Sequence, residues 1–235
     1  MRRRQAALTL AGAAAAIGFC VVALLTIDLP GDAALPREAL TAVRDKTGVS
    51  NLVAALLLDV RLYDTLFELF VFSMAVLGVR SFLKDSAGPA VREPLAESHV
   101  VRHAAYVLFP AVALLAAYLA VFGHVAPGGG FGGGAVAATG FLLVCVALGV
   151  EVLASRIRDG VLEWIEGLSM LGVLAFAVLP GAAWGELLSN PLGGGRPGGL
   201  ASGGAIPALN LLIACKVFAG AWAVTYHFVR HRGEV

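Results

Sequence analysis

Apolar runs of bilayer length constrain this chain more than any other feature. A transmembrane α-helix needs about 20 consecutive, predominantly apolar residues to cross the hydrocarbon core. Six such runs can be placed: Ala6–Ile27, Asn51–Val79, His99–Phe122, Ala135–Leu153, Val161–Trp184 and Ala205–Phe228. Charged residues make up only 14% of the chain, against roughly 25% in a soluble domain. The expected fold class is an all-α integral membrane protein of about six transmembrane helices. Six spans in 235 residues leave short loops and no room for a soluble catalytic domain. A net charge of +1 gives no electrostatic footprint for nucleic acid.

Arg2, Arg3 and Arg4 precede the first run as they would in a signal peptide. However, Ala6–Ile27 exceeds the apolar core of such a peptide, about 7–15 residues, and "TIDLPGDAA" offers no small-x-small cleavage site. The run therefore reads as an uncleaved helix. With the N-terminus inside, ten Lys/Arg residues fall on the cytoplasmic side and four on the other. That bias places both termini in the cytoplasm. Cys20, Cys145 and Cys215 all sit in apolar runs, where packing as small hydrophobes is the expected role rather than disulfide or metal chemistry.

The polar segment Arg80–Ser98 carries two prolines and divides the chain. Residues 1–80 form a two-helix unit, 81–98 a cytoplasmic linker and 99–235 a four-helix domain. The Gly/Pro-rich stretch Asn190–Ala205 reads as a flexible external connector. No internal repeat and no inverted pair of broken helices of the secondary-transporter kind is visible, which argues against a self-sufficient carrier.

The second run is unusual. "NLVAALLLDVRLYDTLFELFVFSMAVLGV" carries Asp59, Arg61, Asp64 and Glu68, and one charge at a helix centre costs about 2.5–3.5 kcal/mol on insertion scales. These groups must pair, face a partner or be partly protonated. Steps of three and four put Arg61, Asp64 and Glu68 on one helical face. Arg61 can neutralise one carboxylate, leaving a site able to exchange a proton or hold a cation. Asp59 points elsewhere.

"GHVAPGGGFGGG", Gly123 to Gly134, interrupts the apolar runs with seven glycines, Pro127 and His124. Its formal G-x-G-x-x-G is no dinucleotide fingerprint, because neither a preceding strand nor a downstream acid accompanies it. The pattern predicts a tight turn between antiparallel helices, packed closely on another backbone. With its continuation "AVAATGFLL" it resembles the signature of the B subunit of Mrp-type sodium/proton antiporters, a Gly-His-x-x-Pro-Gly-Gly-Gly-Phe turn. His124, Pro127, Gly128, Gly129, Gly130 and Phe131 match that turn. The likeness extends over about His99 to Arg232, with "GLSMLGVLAF" and "NLLIACKVFAGAW". Gly132 departs from it, since a larger residue often follows the phenylalanine.

The second run resembles another unit, the Asp-x-Arg-x-x-Asp-Thr-x-x-Glu segment at the end of the antiporter A subunit. The same segment forms the E subunit of energy-converting membrane-bound hydrogenases. That resemblance implies that Asp59, Arg61, Asp64, Thr65 and Glu68 hold the family's positions and that the acids lie near an ion route between subunits. It implies a noncatalytic antiporter subunit handling Na+ and H+, without cofactor or metal of its own. Its partners would be A/D-like, C-like and small E/F/G-like membrane subunits of a cell-membrane complex. A subunit of a hydrogenase-type or related redox-driven complex is the second reading.

Other candidates are fewer. Lys216 lies deep in the last run with no local acid and requires a partner acid from another helix or subunit. Glu151, Glu163 and Glu166 lie close enough to Arg156 and Arg158 to pair with them as a solvated cap; of the three, Glu163 best suits a proton entry, since it sits just inside its run. His99 with His103, and His227 with His231, have i,i+4 spacing but lack a third ligand, and read as interface histidines.

Overall fold

A computed structural model describes residues 37–84, 99–149, 153, 159–185, 188, 190, 192, 194–199 and 201–231. Leu40–Val235 forms one compact unit and Met1–Ala39 clusters separately. The expected span Ala6–Ile27, most of the linker and Glu151 lie outside the described residues.

The described elements are all helical: α1 (Arg37–Thr47), α2 (Leu52–Ala55), a π-helix π1 (Leu56–Val60), α3 (Leu62–Lys84), α4 (His99–Phe122), α5 (Gly130–Leu148), α6 (Asp159–Trp184) and α7 (Ile206–His231). Five are long and apolar enough to cross a membrane: Leu62–Leu83, His99–Phe122, Gly130–Leu148, Gly160–Ala183 and Ile206–Val229. Helices suit lipid because each satisfies its backbone hydrogen bonds within itself.

α7 is the centre of the bundle. It packs on α3, α4, α5 and α6, and 56% of its apolar window is buried, against 17% for α3 and for α4. One core cluster joins Leu58, Leu62 and Leu69 to Val173 and Ala177 of α6 and to Leu209, Ile213 and Val217 of α7. At the other end of α7, Trp222 and Tyr226 bury against Cys145 and Leu162. There Phe141 stands edge-on to Phe109, Phe218 and Trp222, with ring centroids 5.5, 4.9 and 5.6 Å away, the geometry that aromatic quadrupoles favour.

Three expectations change. The second run is not one helix: it breaks at Arg61, whose backbone (φ −127°, ψ 39°) leaves the helical region. α5 starts at Gly130 rather than Ala135, so four of the seven glycines, Gly130, Gly132, Gly133 and Gly134, are helical. The connector near Asn190–Ala205 is pinned at its described residues, because Asn190 donates to Gly203 O at 2.9 Å and accepts from Ala205 N at 3.0 Å. Gly194 presses on Gly48, where a Cβ would lie 2.0 Å from Gly194 O. Composition suggested flexibility, but glycine also permits close backbone approach.

Candidate functional site

The charged segment owes its geometry to π1. Arg61 N donates to Leu56 O, five residues back, at 2.7 Å, and Asp64 N then donates to Arg61 O at 3.0 Å. Thr65 Oγ1 crosses the break and donates to Leu57 O at 2.9 Å, satisfying a carbonyl that an α-helix would have paired. Such π-bulges are frequent at functional sites. Arg61 Nη2 sits 2.5 Å from Asp64 Oδ2. Asp64 and Glu68 follow at i,i+4 on α3, whereas the break interrupts the single helical face expected to include Arg61. Asp59 points away, its carboxylate 3.9 Å from Lys46 Nζ.

The glycine turn faces this segment. Asn51 caps α2, its Oδ1 accepting from Val53 N at 3.1 Å and Ala54 N at 3.4 Å. Its Nδ2 donates into the turn, to Gly123 O at 2.7 Å and Ala126 O at 3.1 Å. Asn51 N reaches His124 O at 3.1 Å. His124 is buried, with Nδ1 3.1 Å from Val121 O. Gly129 ends the turn (φ 142°) and its N–H donates to Leu119 O at 3.0 Å. Gly130 N donates to Asn210 Oδ1 of α7 at 3.1 Å. Phe131 and Gly128–Gly130 line a cavity of about 110 Å³ with Thr65, Glu68 and Asn210.

A second group lies towards the other end of α3. Lys216, 2% exposed, donates to Glu166 Oε1 at 2.6 Å, so the acid it requires comes from α6. Glu166 Oε2 lies 3.2 Å from Arg80 Nη2, and Arg80 Nη1 lies 3.7 Å from Glu163 Oε1. Lys216 Nζ also stands 5.7 Å from the Phe72 ring centroid, and Gly220 leaves the space that Phe72 enters. Beyond Arg80, a cavity of about 350 Å³ is lined by Arg80, Glu163, Trp222, Tyr226 and His227.

Along α3, Glu68, Phe72 and Arg80 are spaced by multiples of four residues, spanning about 18 Å at 1.5 Å per residue. Carboxylates, a buried ammonium and a guanidinium therefore follow α3 and α7 through the bundle, a distribution able to hold and pass protons or small cations. Glu163 stays 63% exposed at its side chain, whereas Glu166 is 13% exposed and joins Lys216 to Arg80. From the sequence Glu163 is preferred over Glu166, and Arg80, Asn51 and Asn210 do not stand out. Polar residues within apolar runs were the available signal for Glu166 and Asn210. His103 Nδ1 lies 2.8 Å from His99 O, a contact within the helix. Among the described residues no three His, Cys, Asp or Glu side chains cluster as metal ligands.

Comparisons with known proteins agree with this geometry. A family model described as a domain related to the MnhB subunit of the Na+/H+ antiporter matches residues 100–223. An uncharacterized protein of Methanocaldococcus jannaschii is 29% identical over 195 residues, covering 73% of this chain and 74% of the relative. The probable A/B subunit of a K+/H+ antiporter of Rhizobium meliloti is 27% identical over 194 residues, covering 71% of this chain but 19% of that protein. Among solved structures, the chain resembles one in an archaeal membrane-bound sulfane sulfur reductase, a respiratory membrane complex. The TM-score is 0.72 at 28% identity, over 98% of this chain and 99% of the other. It also resembles a chain of the Mrp complex from Dietzia sp. DQ12-45-1b, with a TM-score of 0.68 at 25% identity, over 97% of this chain and 27% of that longer one.

Proposed function

Because the chain belongs to the family of domains related to the MnhB subunit of the Na+/H+ antiporter, we propose that it is a noncatalytic membrane subunit of a multisubunit Mrp-type cation/proton antiporter. It scaffolds sister subunits and contributes part of the ion path. Its partners are A/D-like, C-like and small E/F/G-like subunits in the cell membrane. Residues 1–80 form the unit that resembles the end of the A subunit, 81–98 a cytoplasmic linker and 99–235 the B-like domain.

One observation carries this reading. Glu68 is exposed on α3, and Asp64 and Arg61 keep 28% and 59% of their side-chain surface. In lipid, such groups face a bundle interior or a water-filled cavity, so a sister subunit must cover this face. Asp64 and Glu68 are then the exchangeable carboxylates at a subunit interface, and Arg61 is the counter-charge. Lys216 and Glu163 continue the polar line, with Glu166 as the acid that joins Lys216 to Arg80, while Asp59 stands beside it on Lys46.

Purification of the tagged chain from mild detergent tests the reading. Antiporter-module subunits should accompany it. A lone, monodisperse chain, stable with Glu68 open to lipid, would overturn it. The near-complete overlap with a chain of the sulfane sulfur reductase complex favours one alternative, a redox-driven complex with the same module. Copurifying redox subunits would select that alternative.

A further inference from the structure

Asn210 lies in the first turns of α7 and is 1% exposed. Its two amide atoms have different surroundings. Oδ1 accepts from Gly130 N at 3.1 Å, whereas Nδ2 has no acceptor among the described residues. Turning the amide over would set its NH2 against the Gly130 N–H, donor against donor, so the network fixes the orientation. A buried amide N–H without a partner is costly enough that native interiors rarely keep one.

Asn210 lines the cavity of about 110 Å³ described above, which has room for about three water molecules. Its other polar side chains are Thr65 and Glu68. Thr65 Oγ1 spends its proton on Leu57 O and so offers lone pairs. Glu68 as a carboxylate offers acceptors only, and Asn210 offers N–H. Water fits this set, since it can accept from Asn210 Nδ2 while donating to Thr65 and to the carboxylate. A bare cation would meet the wrong end of the Asn210 amide. The floor, with Ala54, Leu58 and Asn210, is buried. The rim at Val53, Leu57 and Glu68 is exposed.

We infer that this cavity is a water chamber in which Asn210 Nδ2 donates to water held against Glu68, making Asn210 a positioning residue for the ion route. The inference rests on the reading of Glu68 as an exchangeable carboxylate. A proton or hydrated cation then meets Glu68 through ordered water, and the glycine turn sets the chamber's wall by holding the Asn210 amide in one orientation.

Asn210→Asp keeps an acceptor for Gly130 N–H and, at a pH where its carboxyl is ionised, removes the donor, so exchange is read at that pH. In proteoliposomes of the assembled complex, N210D should slow cation/proton exchange about ten-fold or more while the same subunits copurify. A high-resolution map of the unmutated complex should show ordered water within hydrogen-bond distance of both Asn210 Nδ2 and the Glu68 carboxylate. Exchange at the unmutated rate in N210D overturns the inference. So does a dry cavity, or a sister-subunit side chain bonded to Nδ2, and the map decides even if N210D fails to assemble. Slow exchange in Glu68→Gln beside normal exchange in N210D sinks the inference and leaves the functional reading standing. Normal exchange in Glu68→Gln removes the reading itself.

Discussion

Glu166 uses both carboxylate oxygens, one on Lys216 at 2.6 Å and one on Arg80 at 3.2 Å. Removing one partner of a buried ion pair leaves an uncompensated charge and costs about 3–5 kcal/mol, whereas replacing the whole pair by apolar groups is often neutral or stabilising. Glu166→Gln should therefore lower the melting temperature of the detergent-solubilised complex, and Glu166→Gln with Lys216→Met should recover most of the loss. If the double variant melts no higher than the single one, Lys216 is not held by Glu166. Glu68 calls for a different readout, since it is exposed in the isolated chain and removing its charge should cost little stability. Glu68→Gln should lower ion-coupled transport in a complex of normal composition. Transport at the unmutated rate would contradict its place on the ion route. Asp64 and Arg61 were legible as a pair because they lie three residues apart. Lys216 and Glu166 lie fifty apart, and no local pattern marks that they meet.

At the scale of elements, α5 shows why a helix can begin on glycines. Each interior glycine costs about 1 kcal/mol relative to alanine, and close packing between membrane helices offsets that cost. A Cβ at Gly130 would lie 2.5 Å from Asn210 O and 2.6 Å from Ile213 Cβ, and one at Gly134 would lie 2.6 Å from Ala214 O. Gly132 has nothing within 4 Å. Gly130→Ala and Gly134→Ala should each destabilise by about 1–3 kcal/mol, while Gly132→Ala should be neutral or slightly stabilising. Thermal melts of the three variants separate the cases, and equal effects would refute the packing account. Asn51 ties another pair of elements, capping α2 while donating to Gly123 O and Ala126 O. Asn51→Ala should cost about 1 kcal/mol for the cap and about 1–3 kcal/mol for carbonyls left without a donor. A melt unchanged by Asn51→Ala would show that water replaces the bonds. The glycine run announced a close helix hairpin, but not that the α5 glycines pack against both α4 and α7.

At the scale of the whole molecule, α3 is the element that most needs a neighbour. Beside Glu68 it exposes Phe67, Phe70, Val71 and Met74 at 48–70%, the surface of a helix that meets either lipid or another subunit. A photocrosslinking amino acid at Phe67 should capture a sister subunit in the assembled complex; adducts with lipid alone would show that this face is not the interface. Five of the six expected spans and the all-α class were legible in the sequence itself, although the second span begins only at Leu62. Lipid demands that each spanning segment close its own backbone hydrogen bonds, so hydropathy along the chain reads them out directly, and the turn signature fixed the family. Which side chains meet was decided only by tertiary structure. Helix packing brought Glu166 to Lys216 across fifty residues and Gly130 to Asn210 across eighty. Beside the break at Arg61, π1 packs its Leu58 against a core shared with α6 and α7. Hydropathy records how apolar a face is, not which other face will cover it.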